Sequence, residues 1–109
     1  MLKIEAFLGN NDVMAISEAL KEFEIGGLTV GKVRGRGKRP PPEIHASKGS
    51  AIFQPQFSEK YVIELVIPES KEEQVVNILK EKGTIGKIFV SPVIRAIDIA
   101  TGDEGESVI

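Results

Sequence analysis

Apolar residues recur at every second position at the start of the chain. Leu2, Ile4, Ala6 and Leu8 are separated by Lys3, Glu5 and Phe7, the period-two pattern of a strand. Gly9-Asn10-Asn11-Asp12 then reads as a turn that supplies helix N-cap candidates. The period changes after it: Val13, Ile16, Leu20 and Phe23 form a helical stripe, with Gly26-Gly27 expected to end the helix. Leu28, Val30 and Val33 predict a second strand ending in Gly35 and Gly37, and Tyr61–Ile67 a third, closed by Pro68. Ser70 and Glu73 have the spacing of a capping box. Val75, Ile78 and Leu79 would be the inner face of the helix they open, and Gly83 its end. Lys87–Val90 reads as a fourth strand and Val93–Ile99 as a short fifth, before a polar, turn-forming tail from Thr101 to Glu106.

Strand, helix, strand, strand, helix, strand is the order of an α+β, ferredoxin-like βαββαβ sandwich. At 109 residues the chain is expected to be a single domain. Four strands then form one antiparallel sheet with both helices on one face. Ile4, Ile63, Leu65 and Val90, or their neighbours, are expected to fill the opposite face. Tyr61–Ile67 is apolar on both sides, as in strands covered on both faces. Two helices cannot cover both, so the open face predicts self-association.

The stretch from Gly31 to Lys60 breaks this pattern. Five of the eight residues from Lys32 to Arg39 are basic, and Pro40–Pro42 forbid helix and remove ladder donors. Residues 32–48 hold six basic groups against Glu43 alone, leaving eight basic and fifteen acidic groups elsewhere. A basic loop on an acidic body points to a small anionic effector or an acidic partner surface. Ile52, Phe53 and Phe57 either fold back on the body or serve as apolar anchors for a partner, alongside the basic Arg36 and Arg39.

Composition narrows the chemistry. With no Cys, a disulfide framework, a thiolate metal site and a Cys nucleophile are excluded. No apolar run reaches the roughly 18 residues of a membrane span, which predicts a cytoplasmic protein. His45, the one His, falls in the loop and pairs with no telling arrangement of acids, so no catalytic residue is assigned. Nucleic-acid binding is disfavoured because the basic patch lacks interleaved aromatics. Gly35-Arg36-Gly37-Lys38 reads as a turn or as an anion-binding bend, in which two glycines let backbone N–H groups approach an anion while Lys38 adds charge.

These local sequences resemble the PII signal-transduction family of nitrogen regulatory proteins. MLKIEA at the start, the strand running into GRGK at Gly35–Lys38, YVIELVIP, GKIFVSPV at Gly86–Val93 and TGDEGESVI at Thr101–Ile109 carry the resemblance along the whole chain. It implies a homotrimer with three inter-subunit clefts that take ATP, ADP or AMP. It also implies a T-loop, here about residues 36–59, that docks on a target such as a membrane transporter or a metabolic enzyme, with a C-terminal strand and tail at 93–109. By the same resemblance Gly35, Gly37, Lys38, Lys60, Gly86 and Lys87 lie near ligand phosphates, and Thr29 and Glu64 beside the adenine. A CutA-like trimeric metal-binding protein is the alternative on the same fold, although one His and no Cys make a poor ligand set.

The chain departs from the family pattern at points that bear on the ligand. Two phosphate-clamping arginines, in the form RxRTG, are replaced by Asp98 and Ala100. The family's GKIGDGKIFV is shortened to GTIGKIFV at Gly83–Val90, and a Gln after the GxGR-like bend is Arg39. Each lost charge-assisted phosphate contact is worth about 1.5–3 kcal/mol, which predicts a weakened triphosphate site open to a smaller anion such as bicarbonate or a mononucleotide. The loop apex reads Lys48-Gly49-Ser50 with no Tyr, so uridylylation is not expected, and Ser50 stands where some members are phosphorylated.

Overall fold

The computed structural model describes residues 1–38 and 56–109, together with the backbone of residues 44–45 and 52–53. Its strands are β1 (Leu2–Leu8), β2 (Thr29–Gly35), β3 (Ile44–His45), β4 (Ile52–Phe53), β5 (Ser58–Ile67) and β6 (Gly86–Pro92). Its helices are α1 (Val13–Glu22) and α2 (Glu72–Lys82). Four strands form one antiparallel sheet in the order β2-β5-β1-β6, so the predicted α+β, ferredoxin-like arrangement is present. Within the stretch read as loop, β3 and β4 pair antiparallel with Ile44 opposite Phe53. Strand β5 also begins three residues before Tyr61, because Ser58, Glu59 and Lys60 continue the ladder against Gly35, Arg34 and Val33.

Register decides which side chains share a face, since directly opposed residues point the same way. Ile4 lies opposite both Leu65 and Val90, and Ala6 opposite Ile63 and Ile88. Ile4, Ala6, Ile63, Leu65 and Ile67 are buried with Ile16, Leu20, Val75 and Leu79 of the helices. This corrects the expected parity: Ile4, Ile63 and Leu65 belong to the helix-covered core, with Val90 on that side at the exposed edge strand. The other face carries Glu5, Phe7, Val62, Glu64, Val66 and Phe89, with Phe7 and Phe89 edge to face at 5.8 Å. No helix among the described residues covers it.

Several ends differ from expectation for local reasons. Helix α1 ends at Glu22 and its chain reversal is made at Glu24, not at Gly26-Gly27. Glu24 adopts a positive φ of 63°, its N–H reaches the Lys21 carbonyl, and the Ile25 N–H returns to the Leu20 carbonyl at 3.0 Å. That is a Schellman closure with its apolar contact supplied by Ile25 and Leu20, both buried. Phe23, placed in the buried stripe by its spacing, is the exposed cap, and Ile25 replaces it in the core. Since a left-handed conformation strains a residue with a Cβ, Glu24→Gly is expected to stabilise the fold by roughly 0.5–1 kcal/mol, read as a rise in the urea midpoint.

The Ser70–Glu73 capping box does not form. Pro68 leads instead into the 3-10 turn Glu69–Lys71, closed by the Lys71 N–H on the Pro68 carbonyl at 3.0 Å, and α2 begins at Glu72 without a side-chain cap. Nor does Val93–Ile99 form a fifth strand. After the Val93 N–H bonds the Met1 carbonyl, the chain turns into a hook with a single bridge between Ile97 and Glu104. Asp98 closes that hook, its Oδ1 accepting the N–H groups of Ala100 at 2.8 Å and Thr101 at 3.1 Å. Arg95 and Glu104 pair across its base.

Candidate functional site

The predicted ligand residues fall into three groups placed by the sheet. At the end of β2, Gly35 and Gly37 lie under the side chain of Lys60, which leaves β5 opposite Val33. A Cβ added at Gly35 would stand 3.6 Å from Lys60 Cδ, and one at Gly37 3.4 Å from Lys60 Nζ. The two glycines therefore leave room for the lysine stem, and its ammonium lies at the bend. Arg36 and Lys38 project into solvent from the same bend. Ser58 Oγ donates to the Gly35 carbonyl at 3.5 Å, a weak tie between the two strands at this point. Lys32, nearer the sheet, is paired with Glu59 at 3.3 Å. Both partners are largely exposed, so that pair adds at most about 1 kcal/mol.

The second group is Thr29 and Glu64, directly opposite each other across β2 and β5. Both are exposed, so Glu64 needs no buried partner. They line an open groove of about 580 Å³ together with Gly26, Gly27, Leu65 and Pro68. The third group is Gly86 and Lys87 at the start of β6, opposite Leu8 and Phe7. Alternation along the strands puts Thr29, Gly35, Lys60, Glu64 and Lys87 on the open face of the sheet, with Gly86 on the other side. Lys60 and Lys87 stand toward the loop end of that face, with Glu5 and Glu64 one row in from Lys87 and two rows in from Lys60. The face is thus cationic where phosphates are expected and acidic beside the groove.

Two features were not anticipated from the sequence. Glu106, Val108 and Ile109 line the groove from the tail, which a polar, turn-forming composition does not announce. Asp12, expected to cap α1, caps nothing; its carboxylate reaches instead to Thr84 in the connection before β6. Phe57 is half exposed beside the start of β5. Arg39, Ile52 and Phe53, together with His45, Lys48 and Ser50, lie outside the residues whose side chains are described.

An antiparallel sheet in this strand order, with both helices on one face, defines the ferredoxin-like class of α+β fold. The family model described as "Nitrogen regulatory protein P-II" matches residues 1–103, and the chain belongs to that family. It is 34% identical to the nitrogen regulatory protein P-II of Haemophilus influenzae and 35% identical to P-II 1 of Escherichia coli, each alignment covering all of both chains. It is also 36% identical to a P-II homolog of Arabidopsis thaliana, over 95% of this chain but 55% of that protein. The chain therefore spans about half the length of the plant relative and all of the bacterial ones.

Proposed function

We propose that this chain is a regulatory binding module, assembled as a homotrimer, which senses a small anionic effector and controls a target protein through residues 36–59. The observation that carries this reading is the common placement of Thr29, Glu64, Lys60 with its glycine bend, and Lys87 on one uncovered sheet face. The same face holds Phe7, Val62, Val66 and Phe89, apolar surface that a second and third copy would cover. Ile94 and Ile99 of the hook are fully exposed in the isolated chain and would be covered by the same association.

In the cleft so formed, Thr29 and Glu64 offer polar groups to an adenine edge, and Lys60, Lys38 and Lys87 receive phosphate. Lys60 acts as a point charge held by its packing against the glycines, which lowers the ordering cost of binding. Arg95 adds little, because it is engaged by Glu104 in its own hook. The effector class is therefore an adenine nucleotide, ATP, ADP or AMP, with the shorter ones bound at least as tightly as ATP. The site regulates rather than catalyses. The target is a transporter or a metabolic enzyme, and a transporter would bring the module to a membrane; no helix among the described residues is long and apolar enough to cross one.

Calorimetry with ATP, ADP, AMP, cyclic nucleotides and bicarbonate, alongside sedimentation equilibrium, tests this reading. The expected result is a trimer that binds at least one of these anions. A monomer at all concentrations would overturn the cleft, and a trimer that binds none of them would leave only the target-binding role.

A further inference from the structure

Asp12 is the one buried charged side chain among the described residues, 5% exposed, and the proposed cleft does not use it. It ends the 3-10 turn Asn10–Asp12 in front of α1. Its Oδ2 accepts both the backbone N–H of Thr84, at 2.9 Å, and the Thr84 hydroxyl, at 3.0 Å. Thr84 sits in the short connection between α2 and β6. That connection is held at its two ends as well: the Gly83 N–H bonds the Leu79 carbonyl at 2.9 Å, and Gly86 lies against the Phe7 carbonyl. Lys87 is the next side chain, and the first of β6 on the open face.

A buried carboxylate carries a desolvation cost that a neutral side chain would avoid, so its hydrogen bonds must be strong to keep it there. At 2.9 and 3.0 Å the two bonds to Thr84 are of ordinary length and well formed. Here both converge on one residue of the connection that the family pattern makes two residues longer. The charge faces inward at the start of α1, where the helix dipole favours it. The connection is thus fastened from the core side while its outer side is free to meet a ligand.

We propose that Asp12 is a positioning residue for the anion site: acting through Thr84, it fixes Gly83–Gly86 so that Lys87 is presented to the ligand's phosphate. The inference rests on the cleft reading above. Its test compares ADP with adenosine, which lacks phosphate, on the full chain. Asp12→Ala is expected to weaken ADP about tenfold and to leave adenosine within twofold. Asp12→Asn should restore ADP binding, since its amide oxygen can accept the same two bonds. Equal losses for both ligands, or no loss for ADP, overturn the role of Asp12 while the cleft stands. A wild-type trimer that binds neither ligand overturns the cleft and this inference together. Should Asp12→Ala not fold, Thr84→Val removes the hydroxyl bond alone; it should weaken ADP about threefold and adenosine not at all, and unchanged ADP binding again overturns the role.

Discussion

Gly86→Ala is expected to cost at least about 3 kcal/mol of stability, read by urea unfolding of the full chain. Gly86 has φ +141°, a region that residues with a Cβ rarely enter, and an added Cβ would stand 1.8 Å from the Phe7 carbonyl oxygen. That oxygen is backbone of β1, held in the ladder between β5 and β6, so it cannot swing away as a side-chain tip would. Relief requires the first residues of β6 to leave the sheet, which also displaces Lys87. Gly26→Ala is the control: nothing lies within 4 Å of its added Cβ, and its φ is not positive. It should change stability by no more than about 0.5 kcal/mol. A Gly86→Ala chain within 1 kcal/mol of wild type, judged on the same ~1 kcal/mol scale of ordinary substitutions, would show that β6 does not start where the ladder places it.

The fold was legible because period and punctuation agree over most of the chain. Leu2–Leu8 is apolar at every second residue and Val13–Leu20 keeps a helical stripe, so type and order follow from local pattern. The face was not legible in β5. Tyr61–Ile67 is apolar at both parities, and only its pairing with β1 shows that Ile63, Leu65 and Ile67 turn inward while Val62, Glu64 and Val66 turn out. Val93–Ile99 looked like a strand because its β-branched residues suit one, yet Asp98 offers the following N–H groups a closer acceptor than any ladder would. The capping box failed for a similar reason, with Pro68 fixing a tighter turn before Ser70 could act.

The candidate site divides along the same line. The glycine bend could be read from adjacent residues, whereas Lys60, Thr29 and Glu64 were named only through the family resemblance; the pairing of β2 with β5 is what sets Thr29 opposite Glu64 and Lys60 over the bend. Asp12 was readable only as a cap, since its partner lies 72 residues away and a lone Thr carries no pattern. The tail residues that line the groove are hidden in the same sense: nothing local in Glu106, Val108 or Ile109 marks them as a wall.

Ala100→Arg is expected to tighten ATP by about 10- to 150-fold, the equivalent of one charge-assisted phosphate contact of roughly 1.5–3 kcal/mol. Position 100 is where the family pattern carries a phosphate-clamping arginine, and here its exposed side chain makes no contact that the hook depends on. Only the Ala100 N–H is used, and arginine keeps it. Asp98→Arg is not an equivalent restoration. It adds a cation but removes the Oδ1 that closes the turn on Ala100 and Thr101, loosening a hook whose backbone bonds run from Asp98 to Gly102 and Asp103. The gain from Asp98→Arg should therefore be smaller than that from Ala100→Arg, although it replaces an acid. Both gains should shrink as salt rises, because an exposed cation is screened beyond about 10 Å at 0.1 M ionic strength, and adenosine should bind all three chains alike. An unchanged ATP affinity in Ala100→Arg, with wild type binding measurably, would mean that the hook does not reach a phosphate and that the ligand is held by Lys60, Lys38 and Lys87 alone.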